Sequence, residues 1–179
     1  KNILNLKDHK IKLQYKDSNL SVEGLGKISL DKEFNKINYT FSKKDKKYNF
    51  ETDLEINDTP IKIDFINYEK DKNLNSQLKI NGNYNKKFGL DLKKISIFSK
   101  NNRISIDDLI IDGKNKIVKV DKIDLDYFDI SDKKNKFVIN RIKNNEYELN
   151  GSILNADSLI TNLLKSNNDQ QLDIFKENI

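Results

Sequence analysis

Few residues in this chain have the type and spacing that chemistry needs. His9 is the only histidine and stands between Asp8 and Lys10, where an imidazole beside a carboxylate could carry a proton. It has no Cys and no serine constellation to activate, so it reads as a solvated surface residue. Asp124 and Asp126 are two apart, which puts them on one face of a strand, with Asp129 close behind. Such a row could hold a divalent cation through oxygen ligands, but Lys119 and Lys122 beside it give the simpler reading of cross-strand charge partners. Asp107 and Asp108 are adjacent, so on a strand they point to opposite faces and cannot act as a carboxylate pair. Gly24-Leu25-Gly26 lacks the third glycine and the following helix of a phosphate-binding loop; glycines inside a strand pattern mark a bulge or a close approach instead. Tyr15, Tyr39, Phe41, Tyr48, Phe50, Phe65, Tyr84 and Phe88 could stack on bases or sugars. They keep period-two spacing with Ile and Leu, which makes them lining residues of a sheet. No catalytic residue, metal site or cofactor site is expected, and the chain reads as non-enzymatic.

The elements that position these side chains are strands. Roughly ten short runs alternate apolar and polar residues from Ile11 to Leu149, as in Ile11-Lys12-Leu13-Gln14-Tyr15, and successive strand residues face opposite sides. Between the runs lie clusters of Lys, Asp, Asn and Gly that tolerate tight turns, and Pro60, the only proline, falls at a strand entry where its missing N–H does least harm. The expected fold is mainly β: a long, curled antiparallel meander forming an open U-shaped groove, greasy on one face and wet on the other. The groove-facing set is Leu13, Tyr15, Ile37, Tyr39, Phe41, Phe50, Leu54, Ile63, Phe65, Leu78, Ile80, Leu90, Ile95, Ile97, Ile106, Val120 and Leu125. Within residues 155–165 the pairs Leu159/Leu163 and Ile160/Leu164 have i,i+4 spacing, and Asn155 or Asp157 can cap a first turn. The spacing predicts one short amphipathic helix, too short to persist unless it docks over an end of the sheet.

Composition bounds the rest. A chain of 179 residues is long enough for one domain with a core, divided as a β-groove segment with its closing helix over 1–165, then a linker and the start of a further element over 166–179. The formal charge of +5 and pI near 9.1 invite nucleic acid. The basic residues, however, are lysines interleaved with Asp and Glu, and only Arg103 and Arg141 could make bidentate contacts to bases or phosphates. No nucleic-acid partner is expected. With zero Cys, disulfide and thiolate chemistry are excluded. The absence of Met, at position 1 as elsewhere, leads to the expectation that the chain is an excised piece of a longer protein. No apolar run approaches the ~18 to 20 residues of a membrane-spanning helix.

Residues 147–164, YELNGSILNADSLITNLL, look like a strand ending in Gly followed by a helix with paired leucines. A second stretch runs from LSVEGLG (20–26) through YNFETDL (48–54) to INYEK (66–70) and NSQLKI (75–80). In these features the chain resembles the AsmA-like family, in particular its YhdP-type branch, although Asp71-Lys72-Asn73 stand where that family carries Pro and Gly, and Tyr68 where Trp is common. The resemblance implies a segment of a periplasmic, inner-membrane-anchored envelope protein. Its apolar channel would carry phospholipid between the two membranes, and its partners would be acyl lipid and adjacent β-groove segments of the same parent, through which alone it would touch a membrane. Two other readings of the same pattern stay open: a structural or adhesive β-repeat module with a dry core, and a lipopolysaccharide-bridging β-jellyroll.

Overall fold

The computed structural model describes residues 5–29, 33–144, 146–157 and 160. Thirteen strands are defined: β1 (Asn5–Lys16), β2 (Asn19–Ser29), β3 (Phe34–Lys44), β4 (Lys47–Glu55), β5 (Ile61–Ile63), β6 (Tyr68–Lys70), β7 (Ser76–Asn85), β8 (Gly89–Ser99), β9 (Asn102–Ile111), β10 (Ile117–Lys119), β11 (Lys122–Phe128), β12 (Lys134–Lys143) and β13 (Glu146–Ile153). Ten of them form a single path, β1-β2-β3-β4-β7-β8-β9-β11-β12-β13, with β10 as a short flap on β9. All neighbours pair antiparallel. The turns between them are built from residues that accept left-handed backbone: Asp17 and Ser18, Asp45, Lys100, Asn115 and Asp132 all have positive φ, as the Lys/Asp/Asn/Gly clusters predict. At Gly89 φ is +91° and a Cβ would stand 2.2 Å from the Ile111 carbonyl oxygen, so only glycine fits that hairpin.

The meander departs from simple succession once. After β4 the chain leaves the sheet for residues 56–75, and β7 returns to pair directly with β4. The excursion holds the separate two-stranded ladder β5–β6, joined by a 3-10 turn at Asp64–Ile66, and lies as a strap across the apolar face. Its Ile66 and Tyr68 join Ile104, Leu125, Tyr127 and Phe137 in one buried cluster, while Ile56 joins Ile28 and Leu54 in a second. The strap tip is pinned at its far end, where Tyr127 Oη donates to the Ile66 carbonyl at 2.8 Å and the Ile130 N–H donates to the Asn67 carbonyl at 3.0 Å.

Three expectations are corrected. Ile63 and Phe65 alternate as a sheet strand would, yet they belong to the strap that packs onto the sheet. Val120 lies between β10 and β11, on neither strand. Phe88, Leu90 and Leu92 read as one alternating run and Ile95 with Ile97 as the next, but Leu90 to Ile97 lie on one strand, β8, whose pairing with β7 shifts register between Asn81 and Gly82, so Lys93 is an extra residue within it. Of the expected helix over 155–165, Leu159, Leu163 and Leu164 lie outside the described residues. Ala156 and Asp157 are helical, and Ile160 is 52% exposed.

Candidate functional site: an apolar sheet face half covered by a strap

Register brings most apolar residues of the sheet strands to one face, with Leu25, Phe98, Ile110 and Val138 among those on the other. One row crosses all ten strands of the path with one residue from each: Ile11, Gly24, Tyr39, Thr52, Ile80, Ile95, Ile106, Ile123, Ile139 and Leu149. At ~4.8 Å per strand the row is about 43 Å long. A parallel row of Ile37, Leu54, Leu78, Ile97, Ile104, Leu125 and Phe137 lies beneath or beside the strap. There Leu54 and Leu125 fall to 7% and 3% exposure. On the other side of the long row, Phe41 stands opposite Phe50 and Tyr48 opposite Tyr84, with the rings of Phe41 and Tyr48 5.8 Å apart.

The predicted groove set thus divides in three. Leu13, Tyr15, Ile37, Tyr39, Phe41, Phe50, Leu54, Leu78, Ile80, Leu90, Ile95, Ile97, Ile106 and Leu125 share the apolar face. Leu13 and Tyr15, on the β1 edge, are 63% and 70% exposed; away from the strap the others are half-buried. Ile63 and Phe65 cover that face from the strap, and Val120 sits on the connector after β10.

The opposite face is a ladder of charge. Lys79 meets Asp53 at 3.3 Å, Lys94 meets Asp107 at 3.3 Å, and Arg103 and Lys122 flank Asp124 at 3.4 and 3.6 Å. Asp126 is held by Lys134 and Lys136; the Lys134 ammonium is the main cause holding its carboxyl below the ordinary range. The acidic row is therefore occupied by lysine and arginine, and among the described residues no group of His, Cys, Asp or Glu is placed to hold a metal ion. The cross-strand partners of the row are Arg103, Lys134 and Lys136 and not the expected lysines: Lys122 reaches Asp124 along its own strand, and Lys119 turns to Asp121.

Two features were not legible beforehand. His9 does not point into solvent: a bulge at Asp8, whose φ is 52°, swings its ring over Gly26, 2.3 Å from where a Cβ would stand. Tyr39 covers Gly24 in the same way, so both glycines are floors for aromatic rings. The second feature is Lys70. Its residue is 1% exposed, and its Nζ donates to the carbonyls of Thr59, Asp71 and Asn57 at 2.8, 2.9 and 3.0 Å. Burial lowers the ammonium's pKa, opposed by Asp58 and Asp71. A lysine that ties residues 57–59, where the chain leaves the sheet, to its own segment at Asp71 fixes the strap's return to the sheet. Beside it Tyr68, also 1% exposed, meets the Tyr127 ring edge-on at 5.8 Å, and burial raises the phenols of both. The only advance signal for this pair is the Tyr-Glu-Lys spacing itself.

Comparison with protein families, with curated proteins and with solved structures finds no match.

Proposed function

We propose that this chain is a non-enzymatic segment of a lipid conduit of the AsmA-like kind, in which the apolar sheet face lines a U-shaped groove and shields phospholipid acyl chains between the inner and outer membranes of a bacterial envelope. The reading places it in the periplasm as part of an inner-membrane-anchored parent, with the C-terminal amphipathic helix closing one end of the groove. The observation that supports it is the row from Ile11 to Leu149, a largely apolar strip crossing ten strands, with the Lys79–Asp53, Lys94–Asp107 and Arg103–Asp124 pairs on the other face. Moving acyl chains through water costs ~0.8 kcal/mol per CH₂, so a tail of about sixteen carbons faces a barrier on the order of 10 kcal/mol. A continuous strip lowers that barrier all along its length and needs no tight site.

One observation favours a second reading, the β-repeat module with a dry core. The strap seals Ile104, Leu125, Tyr127 and Phe137, which makes that end of the face an ordinary interior. A photoreactive residue at Phe41 or Ile80, beyond the strap, separates the two. Under the conduit reading it captures phospholipid, which native mass spectrometry of the purified chain also finds bound. Capture of protein alone, with a lipid-free mass spectrum, would overturn the conduit in favour of the module.

A further inference from the structure

The two outer strands of the sheet differ in a way that fits them to each other. Among the described residues β1 and β13 each pair on one side only, and every residue of β13, like all of β1 except His9, is exposed. On the polar face β1 presents Lys10, Lys12 and Lys16, alternating with Ile11, Leu13 and Tyr15 on the apolar face. On β13 the polar positions are Glu146 and Glu148, alternating with Leu149 on the apolar side. One edge is therefore a lysine edge and the other a glutamate edge, and both carry large apolar side chains at the alternate positions. Lys12 already lies 3.7 Å from Glu23 and Glu146 lies 2.8 Å from Lys143, but all four side chains keep about half or more of their surface in water, from 48% to 73%, so they remain within reach of an incoming edge.

Strand count supplies the second half of the argument. Ten strands alternate in direction along the path, and ten is even, so β13 runs opposite to β1. A second copy placed beside β13 without being turned over offers its β1 in the antiparallel sense, with its apolar face continuing the first copy's apolar face. Pairing like edges would instead oppose lysine with lysine or glutamate with glutamate.

We propose that copies of this chain join head to tail, the β13 edge of one pairing antiparallel with the β1 edge of the next and extending the apolar strip from copy to copy. The registers that keep apolar residues on one face set Leu149 against Leu13, with Glu146 against Lys16, or Leu149 against Ile11, with Glu148 against Lys12; a one-residue slip would put apolar side chains on the charged face. Because each contact is heterologous, the copies form a ring where the rotation between them closes and an open chain where it does not. The inference rests on the two edges alone and stands or falls independently of lipid.

The absence of cysteine gives a clean test. Leu149→Cys protein is mixed with Leu13→Cys or Ile11→Cys protein and oxidised. The expected product is the mixed disulfide, formed with one β1 variant more than with the other and so reporting the register, and sedimentation of the unmodified chain should show species growing with concentration. The double variant Glu146→Lys, Glu148→Lys should weaken self-association about tenfold or more, and mixing it with Lys12→Glu, Lys16→Glu protein should restore pairing, which damage to the fold could not do. A monomer at every concentration with no mixed disulfide, or equal formation of like-with-like disulfides, would overturn the proposal.

Discussion

Lys70 is a charged residue in a chain rich in lysine, and nothing in its type separates it from its solvated neighbours. What separates it is position: Tyr68 and Lys70 are two apart on β6, face the same way, and enter the interior together. Three carbonyls replace the water that its ammonium loses, which is the condition for burying a charge at tolerable cost. Lys70→Met keeps most of the volume and removes the donors, and is expected to destabilise the fold by about 2 to 4 kcal/mol in chemical denaturation. Asp129 performs the equivalent task at the β11–β12 hairpin. Its Oδ1 accepts the N–H groups of Ser131 and Lys133 at 2.9 and 3.0 Å, and its Oδ2 accepts from the Asn155 side-chain amide at 2.7 Å. Burial opposes its ionisation and these donors outweigh it, so the carboxyl sits below the ordinary 3.8. A carboxyl depressed by folding adds stability that is present in full above its unfolded value and disappears as pH falls through the folded one. Asp129→Asn should accordingly be less stable than the parent at neutral pH, with the gap closing below about pH 4 when unfolding is followed across acid pH.

Alternation specifies which way a side chain points, and most strands were legible on that basis: Ile37, Tyr39 and Phe41, or Leu78 and Ile80, lie on the face their spacing predicts. It does not specify which strand sits next to which. Ile61-Lys62-Ile63-Asp64-Phe65 alternates as well as any sheet strand, yet it forms the strap, and the local clues were Asn57-Asp58-Thr59-Pro60 before it and Asp71-Lys72-Asn73 after it. The bulge at Lys93 separates Leu92 from Ile95 in the pattern, and a bulge and a hairpin turn leave the same mark in a pattern of period two. The strap's removability tests its role. Glu55 pairs with Gln77, so residues 57–75 can be replaced by an Asn-Gly turn that joins β4 to β7. The shortened chain should keep its β circular dichroism and bind more of an apolar-surface dye, since Ile104, Leu125 and Phe137 lose their cover. Unchanged dye binding would mean that the strap does not shield that end of the face.

At the scale of the whole molecule, the one-faced sheet was legible from the sequence, because ten runs with polar turns between them leave few other arrangements. The partial cover was not, since it depends on a long-range contact between the strap tip and Tyr127, and periodicity carries no information about distant partners. Of the C-terminal helix expected over 155–165, only 155–157 and Ile160 are described.

Among the described residues, nearly every contact in the sheet joins strands adjacent along the path, and the strap ties β4 to the β11–β12 hairpin at long range. Such a ladder approaches a one-dimensional array, in which each rung is stabilised by its two neighbours alone. Opening should then begin at β1 and β13 and stop at the strap, so that amide exchange would be graded along the molecule, slowest from β7 to β12, rather than uniform as in a domain that unfolds all at once.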